Sequence, residues 1–233
     1  MKKSKNECDV KRCFMCQNCL EEWHPAIAAN RKNFKVKKGE VIFNEGDEVK
    51  GVYFVYEGSI KVHKKWGDEK ELIIRFATDG AIVGHRGLGN NDLYPVSATA
   101  LEPGIICFVD LEFFKSTLRV NHAFTYNLLM FFADDLRESE KKMRNLAHMS
   151  VKGRLARALM ILTDQFGTTD AGYINIELTR QDLAAFAGAT YETVFRVINE
   201  LLREELITVS GKKIGIKDRE KLEPLTSDSG LQL

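Results

Sequence analysis

The stretch Leu178–Leu202, LTRQDLAAFAGATYETVFRVINELL, decides the architecture. Its first half places Leu183, Phe186 and Ala187 on one helical face, with Thr179 in N-cap position. Gly188 supplies a turn, since a residue without Cβ enters the left-handed backbone region at little steric cost. Thr190 caps a second helix whose buried stripe is Val194, Val197, Ile198 and Leu201. That spacing turns Tyr191, Glu192, Phe195, Arg196 and Asn199 outward. Two short helices about a glycine turn, the second with an arginine-bearing outer face, form the pattern of a helix-turn-helix whose second helix enters a DNA major groove. An ordinary helical hairpin is the plainer alternative. Downstream, Leu206–Val209 and Ile214–Ile216 flank Gly211-Lys212-Lys213, a β-hairpin with a basic tip, so the unit reads as winged.

TRQDLAAFAGATYETVFRVINEL followed by LITVSGKKIGI resembles the C-terminal domain of the CRP/FNR family of bacterial transcription regulators. The family's Glu, with Arg four residues on, stands here as Glu192 and Arg196. The resemblance implies an α+β fold: an N-terminal cyclic-nucleotide-binding-like β-roll, a long dimerisation helix and a C-terminal winged helix-turn-helix. The chain then divides into a cysteine-rich segment over 1–32, a β-roll sensor over 33–118, a dimerisation helix over 119–149, a DNA-binding domain over 150–217 and a tail over 218–233. The implied partners are a second copy of the chain, double-stranded DNA with a near-palindromic site, and RNA polymerase.

Composition sets the outer limits. The chain has 233 residues, 44% hydrophobic and 29% charged, which suits a folded globular protein. Net charge is +1, and residues 152–217 carry 9 Lys/Arg against 8 Asp/Glu, so any DNA-facing potential comes from where the charges sit. No apolar run reaches the ~20 residues that span a bilayer, and the basic N-terminus lacks the apolar core of a signal peptide. The expected compartment is the cytoplasm, with no membrane partner. Thiols stay reduced there, so the five cysteines read as ligands or buried thiols rather than disulfides. No paired carboxylates, phosphate loop or nucleophile constellation marks an enzyme.

Four cysteines crowd the N-terminus: Cys8, Cys13, Cys16 and Cys19, with Cys13-x2-Cys16-x2-Cys19 as the core. Two intervening residues let the backbone turn and bring sulfurs together, and soft thiolates select zinc or iron–sulfur clusters. Within the FNR branch of the family, an oxygen sensor, three N-terminal cysteines and one in a late strand hold a 4Fe–4S cluster. The resemblance makes Cys13, Cys16, Cys19 and Cys107 the candidate ligands, with Cys8 as a spare. The alternatives are a zinc knot of the four N-terminal thiols with His24 as a substitute ligand, or no metal, Cys107 being a buried strand cysteine.

From Asn33 to Asp110 the chain alternates apolar runs with glycine turns. Val41–Phe43, Val52–Tyr56, Ile60–Val62, Leu72–Phe76 and Ile105–Val109 read as strands of a barrel or sandwich. A cyclic phosphate buried in such a roll needs an Arg and several N–H or hydroxyl donors. The cAMP-binding members place Gly-Glu and Arg-Ser where this chain has Gly84-His85 and Tyr94-Pro95, so cAMP is not expected. The pocket takes a different small ligand or is filled by side chains such as Tyr94.

Leu111–Met149 turns helical. Leu129, Phe132, Leu136, Ser139, Met143 and Leu146 recur by three and four, a stripe that wants a partner helix, while Phe124, Leu128 and Phe131 suit packing on the roll. Ser150 and Gly153 mark the expected hinge, and Ile174–Ile176 an expected short strand.

On the DNA side, Arg196 matches guanine O6 and N7 and Glu192 a cytosine N4, while Tyr191 and Phe195 bias the neighbouring base, as by packing on a thymine methyl. Thr179, Arg180, Thr193, Lys212 and Lys213 are placed for phosphate. A surface ion pair is the plainer reading of Glu192 and Arg196, worth only ~0.2–0.5 kcal/mol. A reading of another class makes the chain a redox or metal-binding protein whose helical domain is merely structural.

Overall fold

A computed structural model describes residues 1–4, 11–67 and 70–226. The chain forms two compact units, Met1–Leu136 and Arg137–Leu233. Cys8 lies outside the described residues.

The first unit opens with strand β1 (Lys2–Ser4), a short helix α1 (Phe14–Asn18), a 3-10 turn over Glu21–Trp23 and helix α2 (His24–Asn30). Strands β2 (Arg31–Val36), β3 (Val41–Phe43), β4 (Gly51–Glu57), β5 (Ile60–Trp66), β6 (Lys70–Ala77), β7 (Ile82–Val83), β8 (Ser97–Ala100) and β9 (Gly104–Asp110) follow. They form two sheets, ordered β1-β2-β9-β4-β7 and β3-β8-β5-β6. Helices α3 (Leu111–Val120) and α4 (His122–His148) come next, and the division between the units falls within α4.

Strands β4 and β9 read as unbroken apolar runs because both their faces are buried. Tyr53, Val55 and Ile106 enter the roll interior beside Val62, Val83 and Ala98. Val52, Phe54, Cys107 and Val109 face the other way, into a second core with Met15, Phe114, Phe124 and Leu128. Period-two alternation thus sends Cys107 to the helix-covered side of the sheet, away from the roll interior.

Besides β1, three strands of the roll go beyond the apolar runs. β2 carries only Phe34 and Val36 as apolar residues among its polar neighbours, β8 is built of small residues, and β7 spans two residues. Helix formation after Leu111 is interrupted at Asn121, whose side-chain oxygen accepts from the Leu20 N–H (3.0 Å).

The second unit contains α5 (Val151–Phe166), α6 (Arg180–Ala187), α7 (Tyr191–Arg203), the hairpin β10 (Ile207–Ser210)–β11 (Lys213–Ile216) and α8 (Arg219–Leu222). The expected strand at Ile174–Ile176 is absent: Ile174 forms an isolated bridge to Thr168 and donates its N–H to the Ile214 carbonyl of the following hairpin (2.8 Å). Helices α5, α6 and α7 pack on one another and bury Leu155, Leu159, Leu162, Leu183, Val194, Val197, Ile198 and Leu201. Ser150 caps α5 by accepting from the Gly153 N–H (3.1 Å). Gly153 serves close packing there, because a Cβ would lie 2.5 Å from the Leu225 carbonyl oxygen.

Candidate nucleic-acid interface and cysteine centre

Local chemistry sets each helix of the turn motif. Thr179 and Asp182 form a reciprocal capping box at the start of α6, and Gly188 closes it at φ 64°, in the left-handed region. Thr190 then caps α7 by accepting from the Thr193 N–H. The α7 stripe Val194, Val197, Ile198 and Leu201 is buried, while Tyr191, Glu192, Phe195, Arg196 and Asn199 are exposed. Glu192 and Arg196 therefore share an outer ridge one helical turn apart. Beside it, the Tyr191 and Phe195 rings stack, with centroids 6.2 Å apart and planes 16° from parallel.

The wing is braced from α6. Arg180 donates to the carbonyls of Gly211 (3.0 Å) and Lys212 (3.3 Å) at the β10–β11 turn. Its guanidinium, expected at phosphate, is engaged by the wing backbone, and burial lowers its pKa. Lys212 and Lys213 are exposed at the tip. Thr193 is half-buried, its hydroxyl 3.1 Å from that of Thr190.

Arg154 on α5 was not singled out by sequence. It donates to Met149 (2.7 Å), Ala187 (2.8 Å), Gly188 (3.1 Å) and Leu146 (3.4 Å), all backbone carbonyls. Those oxygens belong to the ends of α4 and α6, where orphan carbonyls and the helix dipole favour a cation.

In the first unit, α1 carries three thiols: Cys13 is its N-cap, Cys16 lies within it and Cys19 is its C-cap. All three, with Cys107, are buried in the same apolar core. Several contacts hold this segment. The Phe14 N–H donates to Gly80 (2.9 Å), and the Trp23 indole N–H donates to the Thr117 hydroxyl (3.1 Å). Gly80 has φ 84°, and a Cβ there would sit 2.0 Å from the Arg12 carbonyl oxygen, so the segment crosses where only glycine fits. The Phe14 ring lies against Phe124 and Phe131 of α4, at 6.1 and 5.2 Å.

Burial, and secondarily Cys13, pushes the Cys19 thiol up to about 12, which keeps it protonated until a cation replaces the proton. His24, the substitute zinc ligand, has its Nε2 2.9 Å from the Cys16 carbonyl oxygen. Among the described residues, no three His, Cys, Asp or Glu side chains are grouped to hold a single metal ion. Cys13, Cys16, Cys19 and Cys107 are soft donors in one apolar core, a donor type that suits zinc and iron–sulfur clusters alike.

The four residues of the degenerate pocket separate. Tyr94 is 2% exposed, stacks on Phe43 at 4.0 Å and donates its hydroxyl to the Gly51 carbonyl (2.7 Å). Gly84 lies against the same ring. Pro95 is exposed. His85 is turned away from Tyr94, packing edge-on against Phe131 and Phe132 of α4. There Asp135 meets Arg86 (2.8 Å) and His85 (3.6 Å, ion-pair range but too long for a hydrogen bond). Burial pulls the Asp135 carboxyl upward, but His85 and Arg86 outweigh it and hold it well below the carboxylate range. Burial lowers His85 and takes Arg75, whose guanidinium bonds to Ile82, down to about 10.

On α4, Leu129, Leu136 and Met143 are 60%, 61% and 65% exposed at seven-residue intervals. Leu146 is half-buried, and Phe132 is half-buried against His85, so this member of the expected stripe serves the chain's own fold. Phe124 and Leu128 are buried against the sheet as expected. Among the described residues, no helix is long and apolar enough to cross a membrane.

Comparison with known proteins adds an independent line. A cyclic nucleotide-binding domain family matches residues 33–121, and a Crp-like helix-turn-helix domain family matches residues 153–225. The chain is similar to the "Anaerobic regulatory protein" of Bacillus subtilis (strain 168), 32% identical over 200 residues covering 84% of this chain and 83% of that protein. It is also similar to the "Transcriptional activator protein Anr" of Pseudomonas protegens, 26% identical over 221 residues covering 91% of this chain and 90% of that protein. Among solved structures, FixK2 from Bradyrhizobium japonicum shares the fold at a TM-score of 0.75 and 23% identity, covering 85% of this chain and 98% of that one.

Proposed function

Because the chain belongs to the CRP/FNR family of transcription regulators, we propose that it acts as a homodimer on near-palindromic DNA, controlled by a 4Fe–4S cluster on Cys13, Cys16, Cys19 and Cys107. The observation that carries the DNA reading is the outer face of α7, where Glu192 and Arg196 stand exposed on a capped helix braced beside its wing. Arg196 donates its fork to a guanine edge and Glu192 accepts from a cytosine amine, while Lys212 and Lys213 meet phosphate. RNA polymerase is the partner that such a complex recruits. Each good base contact carries ~1–3 kcal/mol of discrimination, so Arg196→Ala should weaken binding to the preferred duplex about 5- to 150-fold. A duplex titration by fluorescence anisotropy tests this, and an unchanged affinity refutes it.

Exposed Leu129, Leu136 and Met143 support α4 as the dimer helix, with half-sites about one DNA turn apart. For the signal, the roll interior is plugged by Tyr94, which favours the cysteine layer over a small ligand. When bound, a cluster there supplies sensitivity to oxidants. The chain's own part is mechanical. Phe14, between Cys13 and Cys16, bears on Phe124 and Phe131, so the seating of the cysteine segment is felt by α4. Anaerobic purification with iron, sulfide and zinc analysis before and after air decides the matter. About four iron per chain, lost in air, supports this reading. Stoichiometric zinc makes the thiols a structural knot, and a metal-free protein refutes the cysteine assignment.

A further inference from the structure

The outer face of α7 bears two parallel ridges, and only one of them is polar. Glu192 and Arg196 form the first; the second is the stacked pair Tyr191 and Phe195, displaced by one residue around the helix. Both rings stand about half exposed, 45% and 51%, whereas the stripe Val194, Val197, Ile198 and Leu201 is buried. Their stacking joins them into one apolar plate, with centroids 6.2 Å apart. Base pairs in a duplex rise ~3.4 Å per step, so the plate spans one to two steps beside the pair that Arg196 reads. In the major groove, the large apolar feature of a base edge is the C5-methyl of thymine; apart from the small C5–H of cytosine, the remaining groups are hydrogen-bond donors and acceptors. The Phe195 ring cannot answer those groups and would leave them unsatisfied beside a polar edge, while Tyr191 offers only the hydroxyl at its tip.

We propose that Tyr191 and Phe195 read pyrimidine C5-methyl groups at the base pairs flanking the guanine bound by Arg196. The plate selects thymine there, and it accepts 5-methylcytosine in preference to cytosine for the same reason. This rests on the DNA-binding reading above and deepens it, from a G·C contact to a methyl-bearing neighbour.

The test starts from fluorescent duplexes selected out of a random pool by the full-length protein under anaerobic conditions. Each thymine next to the selected guanine is then replaced by deoxyuridine, which deletes one methyl and nothing else. Loss of one buried methyl corresponds to about four-fold in affinity. The unchanged chain should show that ratio between thymine and uracil duplexes, and a similar gain for 5-methylcytosine over cytosine at the same position. Phe195→Ala, at an exposed site that does not threaten the fold, should bind thymine and uracil duplexes equally at the base pair its ring covers, and Tyr191→Ala should do so at the other. Phe195→Leu keeps an apolar surface and should keep part of the discrimination. Equal affinity of the unchanged chain for both duplexes overturns the proposal while leaving the Arg196 reading standing, and marks the plate as a surface for a protein partner. Discrimination that persists in both Phe195→Ala and Tyr191→Ala overturns it too. Failure to enrich any duplex removes the DNA reading and this inference together.

Discussion

Replacing Arg154 by Met should destabilise the second unit more than any exposed arginine does, because one guanidinium closes the ends of two helices. Three of its contacts are short: Met149 at 2.7 Å, Ala187 at 2.8 Å and Gly188 at 3.1 Å, with Leu146 weaker at 3.4 Å. Charge-assisted bonds contribute ~1.5–3 kcal/mol each, so three would sum to at least ~4.5 kcal/mol if water could not replace them. Solvent reaches this half-buried side chain and takes over part of that work. The expected loss is therefore about 2–4 kcal/mol. Lysine restores the charge at the helix ends, a field effect of ~0.3–1 kcal/mol, but has no planar fork to span four carbonyls. Arg154→Lys should recover less than half of the loss. Urea unfolding of the full chain measures both, since with m near ~1–3 kcal/mol/M a loss of ~3 kcal/mol moves the midpoint by ~1–3 M. Trp23 and Trp66 both lie in the first unit, so their fluorescence reports that unit alone, while circular dichroism follows the helices of both, and a dichroism change without a fluorescence change belongs to the second. An unfolding free energy from dichroism that changes by less than ~0.5 kcal/mol in Arg154→Met, the range of a neutral surface change, would refute the reasoning.

Three other perturbations are equally direct. Tyr94→Phe loses the bond to the Gly51 carbonyl and should cost ~1–2 kcal/mol, whereas Tyr94→Ala empties the roll and should cost ~3–5 kcal/mol by thermal unfolding; equal effects would contradict the plug. His85, lowered mainly by burial, is protonated more readily in the unfolded chain, so its stabilisation is complete above its ordinary value of 6.5 and declines as pH falls below it. Asp135, held low by His85 and Arg86, contributes stability that persists through that range and is lost only at acid pH below the carboxylate region. Urea midpoints between pH 7.5 and pH 5 (about one unit above and below the ordinary histidine range) should therefore slope downward, and an equal slope in His85→Gln would count against the assignment. Leu136→Asp places a charge on the exposed α4 stripe and should convert a dimer to monomer in sedimentation without lowering the unfolding midpoint of the first unit; an unchanged mass would remove α4 from the interface.

What could be read from the chain beforehand followed a physical rule. Local periodicity and caps are written in neighbouring residues, so the two helices about Gly188, the Thr179 and Thr190 caps and the hairpin after Leu206 were legible. Strands β2 and β8 were not, because RKNFKV alternates around lysines and SATA has little apolar bulk; their place comes from pairing with β9 and β5. Long-range partners left no local trace. Asp135 meets His85 across 50 positions, and Arg154 reaches Ala187 and Gly188 more than 30 residues away. The separation of His85 from Tyr94 was hidden for the same reason, since their neighbouring positions say nothing of which core each enters. The side taken by Cys107 did have a signal: it shares parity with Val109 and opposes Ile106.

That parity carries a wider consequence. A single sheet divides two chemical compartments, a hydrocarbon-filled roll on one side and a thiol-bearing layer on the other. Each compartment can be rewritten while the other stands, as the filling of one by Tyr94 beside an intact set of cysteines illustrates. The wall, however, is addressed by count alone. One residue inserted in the 101–103 turn, if taken up by a shift of β9 against β2 and β4, would send every β9 side chain to the opposite face. Cys107 would then point among Val62 and Ala98, and the thiol layer would lose its fourth member without any cysteine having been mutated.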